Sequence, residues 1–348
     1  MESQPLPALR PLRLGELLDQ AIRLYRRNFM TFIGIIALVY VPLMVLQTAA
    51  TALMSSSLTD IASYGTPSEL FLNGSYQVGV LLSLVVFVLR ITFVQGIATG
   101  AMTRAVADNY FGRKTSILDA YRGIGKSWLP LLGALLFVGL IMMAAILWGI
   151  IVPCIGWFTG PGMLAFIVWA IGPMVAPVVV LEGRGAIDSV QRAWYLVRRR
   201  FWSVLLYIFV LFLFSLLIVN GPLAIVNVIL TTVAPSFGDM TTQLVVTAVV
   251  QAIVSIVFLL IYYPLQMTAF TLIYFDLRVR TEGFDLALLT TSDANQALSS
   301  PLQQSKETLV TGVDLGNFAI LTLASAGLCI FSYSLLFGGI FFLSSLFN

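Results

Sequence analysis

Long apolar runs alternate with short polar segments along the whole chain. Seven runs, at approximately Met30–Met54, Val78–Met102, Leu129–Val152, Trp157–Leu181, Trp202–Val219, Leu244–Tyr274 and Phe318–Phe342, approach or exceed the roughly 20 residues that carry a helix across a bilayer. Stretches such as Val204–Val219 are apolar on nearly every face and show none of the period-two alternation of a barrel strand. Inside hydrocarbon every backbone polar group must find a partner within its own segment, so these runs are read as helices. The expected fold is an all-α polytopic membrane protein with about seven transmembrane helices. Leu223–Val233, after Asn220-Gly221-Pro222, is read either as a continuation of the fifth helix or as an outer interfacial turn. The Gly-Pro step favours the turn.

The polar segments carry a helical period of their own. Leu14, Leu17, Leu18, Ala21, Ile22, Tyr25 and Phe29 share one face, while Glu16, Asp19, Gln20, Arg23, Arg26 and Arg27 share the other. The pattern of a helix lying in the membrane interface returns twice. Ile117, Leu118, Tyr121, Ile124 and Trp128 oppose Asp119, Arg122 and Lys126. Ile187, Val190, Trp194, Val197 and Phe201 oppose Asp188, Gln191, Arg192, Arg198 and Arg199. In each an apolar residue precedes an aspartate, an arginine follows three or four residues later, and an aromatic marks bilayer entry. The expected organisation is three parallel repeats of an interfacial amphipathic helix plus a transmembrane hairpin, starting near Gly15, Thr115 and Gly185, then one extra C-terminal helix. The competing reading is that any loop between spans looks amphipathic. By this division residues 1–290 form a six-helix core, 291–313 a polar cytoplasmic linker, and 314–348 the C-terminal transmembrane segment.

Charge adds an orientation. Of the 19 Lys and Arg residues all but Arg90 fall into four polar segments: Met1–Phe29, Arg104–Lys126, Glu182–Arg200 and Arg278–Lys306. The intervening segments Ser55–Gln77, Pro153–Gly156 and Asn220–Gln243 hold none. The positive-inside rule therefore puts the four basic segments and the N-terminus in the cytoplasm and the C-terminus outside, in a multi-pass protein of the cytoplasmic (inner) membrane. The Arg-rich start is read as uncleaved. At 59% hydrophobic and 10% charged residues the chain lies far from globular usage. Its net charge of +3 suits anionic headgroups and not nucleic acid.

Two end motifs carry a resemblance. Leu12-Arg13-Leu14-Gly15-Glu16-Leu17-Leu18-Asp19-Gln20-Ala21, with Leu24-Tyr25-Arg26-Arg27-Asn28-Phe29, and the exit of the sixth helix, Tyr274-Phe275-Asp276-Leu277-Arg278-Val279-Arg280-Thr281-Glu282-Gly283-Phe284-Asp285, bound the six-helix core. Together they resemble the membrane domain of some bacterial glycerophosphoryl diester phosphodiesterases, over about residues 10–290. The resemblance implies a non-catalytic membrane domain, here without the hydrolase, so no phosphodiesterase activity carries over. The residues agree. The chain has no His, the usual acid-base group, metal ligand and partner of Ser or Cys nucleophiles. Its acids stand singly at helix ends, and Cys154 and Cys329 have neither metal nor redox spacing. Neither an enzyme nor a cofactor is expected.

Arg90 interrupts the second apolar run. A guanidinium at that depth costs a few kcal/mol on insertion scales and faces a bundle interior, a cavity or a partner. No carboxylate shares its depth, so its expected in-chain partners are Gln251, Gln266 or backbone near Pro264. It is either a lipid or partner contact or a tie inside the bundle. The other candidate contacts with anionic headgroups or a membrane partner are Arg23, Arg26, Arg27, Arg122, Lys126, Arg192, Arg198, Arg199 and Arg200. Three function classes follow. One is a scaffold or accessory subunit of a membrane complex, with a protein partner in the membrane. The alternative is a transporter or channel for a small solute or lipid, for which Gly172-Pro173 with Pro177, and Tyr262-Tyr263-Pro264 with Gln266, are the candidate helix breaks. A lipid-modifying enzyme fits least.

Overall fold

The computed structural model describes residues 10–64, 73–152, 155–238, 240–290 and 311–327, and among them no strand occurs. The helices are α1 (Leu14–Arg27), α2 (Phe29–Tyr64), α3 (Gly74–Tyr110), α4 (Ile117–Gly123), α5 (Trp128–Ile151), α6 (Ile155–Glu182), α7 (Ala186–Arg198), α8 (Phe201–Phe237), α9 (Met240–Glu282), α10 (Phe284–Thr290) and α11 (312–327). Six helical stretches among the described residues are long and apolar enough to cross a membrane: Phe29–Met54, Gly74–Tyr110, Gly125–Ile151, Ile155–Glu182, Phe201–Phe237 and Thr242–Glu282. The chain is a multi-pass membrane protein. The expected seventh span and the linker at 291–313 lie mostly outside the described residues.

Short caps delimit the amphipathic helices. At the start of α1 the Glu16 carboxylate accepts the Arg13 N–H at 3.1 Å, and Arg26 and Arg27 lie in the last turn, where cations complement the helix dipole. Ser116 caps α4 by accepting the Asp119 N–H, and Gly183 ends α6 at φ 67°, a left-handed turn that a side chain resists. At α11 the Asp314 carboxylate accepts both the N–H and the hydroxyl of Thr311, at 2.8 and 2.7 Å.

The long helices loosen to a π-helical turn at Arg90–Ala98, Phe166–Ile171 and Leu216–Asn220. Two of these run directly into Gly172-Pro173 and Gly221-Pro222. Proline lacks an N–H and its ring presses on the carbonyl four residues back, and a widened turn ahead of it relieves the clash. Helix then resumes, because proline in the first turn costs no hydrogen bond. Leu223–Val233 is therefore helical and continues α8, against the expectation of a turn.

The residues form two compact units, Met1–Leu129 with Tyr207–Asp276, and Pro130–Leu206 with Leu277–Asn348. In the first unit burial changes along the helices. Leu81, Leu84, Val85, Phe87 and Val88 of α3 are exposed, whereas from Thr99 to Ala107 all but Arg104 are buried. α9 is half-buried or exposed before Tyr262 and almost wholly buried from Met267 to Val279, across the boundary into the second unit. Each helix thus has an apolar stretch fit for lipid and a stretch embedded in protein. In the second unit α11 joins through Phe318, edge-on to Phe166 at 6.0 Å, and Asn317, which accepts the Trp202 indole N–H at 3.0 Å.

Candidate functional site

The amphipathic helices dock through a shared register. α1 buries Ala21, then Tyr25 four residues on, and Phe29 opens α2. Ala120, Ile124 and Trp128 stand at the same spacing around α4, and Ala193, Val197 and Phe201 around α7. An alanine lets the helix approach closely, a larger residue one turn later fills the next gap, and an aromatic begins the span. In the first unit two phenols add a fixed point. Tyr25 donates to the Ile261 carbonyl of α9 at 2.8 Å and Tyr121 to the Ile35 carbonyl of α2 at 2.6 Å. Burial raises both phenols to about 12.

That docking leaves most of the predicted basic residues outside. Arg23, Arg26 and Arg27 are exposed beside α1, Arg122 and Lys126 beside α4, and Arg199 and Arg200 after α7, with Arg198 half-buried. Arg199 lies over the Tyr195 ring at 4.5 Å. The faces depart from the sequence pattern at Ile22 and Trp128, which are exposed, and at three further residues. Leu118 and Ile187, expected on the docked faces, are exposed, and Arg192, expected on a polar face, is 2% exposed.

Arg192 is the centre of a buried ionic cluster in the second unit. Its guanidinium reaches Glu182 at 3.1 Å and Glu282, donating to a Glu282 oxygen at 2.7 Å. Arg184 holds Glu182 at 2.8 Å, Arg278 holds Glu282 at 3.3 Å, and the Arg278 guanidinium also lies over the Phe284 ring at 4.3 Å. Glu182 and Glu282, expected to stand singly, share one cation. Arg192 is thus withdrawn from any headgroup. α6, α7 and the end of α9 are tied by it, since a buried charge persists only when paired.

In the first unit the two end motifs meet. Asp276, 4% exposed, accepts the Leu12 N–H at 2.8 Å, and Phe275 stacks on Tyr110 at 5.3 Å with Phe111 edge-on at 5.4 Å. Nothing in the spacing alone marked Asp276 as the acceptor.

Arg90 stands at the head of the π-helical turn of α3. Its guanidinium lies 5.9 Å from the Tyr40 ring centre and lines a crevice of about 60 Å³ with Tyr40, Leu43, Met44, Gln47, Val86 and Phe87. The residue is exposed, and no hydrogen bond or ion pair joins it to a described residue. The crevice is lined from α2 and α3, which pack as a hairpin along their length, and Tyr263 of α9, beside Pro264, lies close enough to feel the Arg90 charge. Gln251, an expected partner, instead donates to the Asn227 side chain at 2.6 Å. A larger cavity, about 600 Å³, lies in the second unit between α5 and α6, lined by Ala145, Ile146, Gly149, Gly156, Trp157, Gly160, Pro161 and Leu164. Among the described residues no group of His, Cys, Asp or Glu is placed to hold a metal ion.

Against this geometry the comparisons with known proteins bear on the family alone. A model described as Domain of unknown function (DUF7847) matches residues 12–274, about three quarters of the chain. The chain belongs to this family. No curated protein and no solved structure matches it.

Proposed function

We propose that this DUF7847 protein is a non-catalytic scaffold or accessory subunit of a membrane complex, resting three basic amphipathic helices on the cytoplasmic leaflet of the inner membrane. The observation that carries the reading is the docking of those helices. Ala21, Ala120 and Ala193, each followed by a buried residue and then an aromatic at the same spacing, support three copies of one unit. Each docked helix keeps cations outside: Arg23, Arg26 and Arg27, then Arg122 and Lys126, then Arg199 and Arg200. Anionic headgroups attract such cations at about 1 kcal/mol each near the surface. Cations so displayed can hold a partner at the leaflet surface.

Solute transport is the second reading, supported by the π-helical turns at Arg90–Ala98, Phe166–Ile171 and Leu216–Asn220, since broken helices line many transport paths. The 600 Å³ cavity between α5 and α6 opposes it. Its lining is mostly apolar and carries no charged side chain, whereas a solute path needs polar groups at mid-depth. The test is purification from native membranes in mild detergent. The scaffold reading expects a stoichiometric membrane companion on a native gel. A chain recovered alone, with solute uptake in proteoliposomes, overturns it.

A further inference from the structure

The Arg90 crevice has a chemistry that the scaffold reading does not use. We propose that Arg90, with Tyr40 and Gln47, seats the phosphodiester of an anionic membrane phospholipid in the crevice between α2 and α3. The guanidinium brings five N–H donors and a full charge to a lipid-facing position, and it makes no ion pair or hydrogen bond with a described residue. The apolar stretches Phe29–Met54 and Gly74–Ala98 contain no Asp or Glu. Tyr40 and Gln47 contribute hydrogen-bonding capacity and a ring face, but no charge. The compensating anion therefore comes from outside the chain.

The planar fork of arginine matches a phosphate bidentately. Leu43, Met44, Val86 and Phe87 line the rest of the crevice and give an acyl chain a surface to lie on. The lining offers no carboxylate for a headgroup amine, which would sit beside the guanidinium unbalanced, so the lipid carries a net negative charge. Depth agrees. Arg90 lies eight residues before Ala98, roughly 12 Å along the helix, where α3 passes from lipid-facing to protein-embedded residues. Ala98 lies toward the end of α3 that leads to Arg113 and Lys114, where the proposed orientation puts the anionic leaflet.

The test uses the full chain purified from native membranes in mild detergent and washed in about 1 M NaCl, where the Debye length is about 3 Å and surface attraction is screened. Bound lipid is then extracted and quantified by mass spectrometry. Wild type and an Arg23→Gln/Arg26→Gln/Arg27→Gln variant should both retain anionic phospholipid in proportion to chain. Arg90→Gln should lose it roughly tenfold, and Arg90→Lys should fall between, because the charge remains and the fork is gone. Equal retention in Arg90→Gln overturns the proposal, as does wild-type lipid that mirrors the bulk membrane. A partner protein cross-linking at position 90, or millimolar inorganic phosphate displacing the lipid, also overturns it. Should Arg90→Gln fail to fold, wild type in phosphatidylcholine nanodiscs decides. Added phosphatidylglycerol should raise its melting temperature saturably and salt-resistantly, and no shift refutes the site. Loss of lipid from the α1 variant alone, with Arg90→Gln retaining it, would put the bound lipid on the basic face and overturn the Arg90 site.

Discussion

Replacing Arg192 by Met separates the buried cluster from a surface cation. The side chain is 2% exposed and lies against Glu182 and Glu282, whose side chains are 4% and 5% exposed. Removing one member of a buried ion pair costs about 3–5 kcal/mol, because the charge left behind has lost its compensation in a poorly solvated site. Here each carboxylate keeps one cation, Arg184 on Glu182 and Arg278 on Glu282. The loss should therefore fall at the lower end, about 3 kcal/mol, or more than about 100-fold in the unfolding constant. Met preserves the length and apolar stem of Arg, so cavity formation adds little. Equilibrium unfolding in mixed micelles measures the change, and the Arg192→Met/Glu282→Gln double mutant gives the coupling, expected at about 1 kcal/mol or more. A stability change below about 0.5 kcal/mol, the range of ordinary surface substitutions, would refute the buried cluster. An effect confined to membrane association would restore Arg192 to the interfacial face.

Tyr25→Phe removes the hydrogen bond to the Ile261 carbonyl one turn before Pro264 while keeping the ring, and should cost about 1 kcal/mol in the same unfolding assay. Gly156→Ala places a methyl 2.4 Å from the Trp148 carbonyl oxygen and 3.2 Å from Gly149 Cα, backbone atoms that must move, and should cost about 1–3 kcal/mol. Gly34→Ala meets only the end of the Ile117 side chain, at 2.5 Å for its Cδ1, and should be far milder in thermal melting. The Arg13 N–H and, secondarily, the Arg10 guanidinium hold the Glu16 carboxyl below its usual 4.5. Its contribution to the α1 cap is therefore complete above pH 4.5 and is lost as pH falls through the lowered folded value. Protection of the Leu17 amide, taken relative to its intrinsic exchange rate, should fall over that range in wild type and stay level in Glu16→Gln.

The spans were legible because hydrocarbon imposes a rule with few exceptions: a helix there must be long and apolar, and both properties are local. The docked faces were legible only to within a small rotation. For α7 the sequence pattern selected Ile187, Val190, Trp194 and Val197, whereas the buried stripe is Ser189, Val190, Arg192, Ala193, Leu196 and Val197. The two differ by roughly one residue, about 100° of helix. The error has a cause. An arginine in the middle of a stripe reads as polar, and only Glu182, ten positions upstream, and Glu282, ninety downstream, make it an interior residue. Charge patterning within one helix contains no term for partners on other helices. The pair Asp188 and Arg192 fitted a surface ion pair four residues apart, yet the guanidinium went to Glu182 and Glu282.

Arg90 shows the converse. A single cation in an apolar run is conspicuous without any partner, but its crevice is lined from α2, with α9 contributing Tyr263 beside Pro264 and not Gln251. The sequence offers only polar residues at similar depth, and Gln251 and Gln266 qualified as well as Gln47. Chain neighbours joined by a short connection pack against each other over many turns, so the helix before Arg90 outranks one far along the chain. The cavity between α5 and α6 has the same origin, since these helices adjoin in sequence and meet through Gly149, Gly156 and Gly160. Glycines bring the two backbones together, while Ile146, Trp157 and Leu164 hold the remaining surface open. Proximity in the chain chose both pairs of helices. What distinguishes the two hollows is the charge at Arg90, which suits one to the proposed anion and leaves the other to apolar contact.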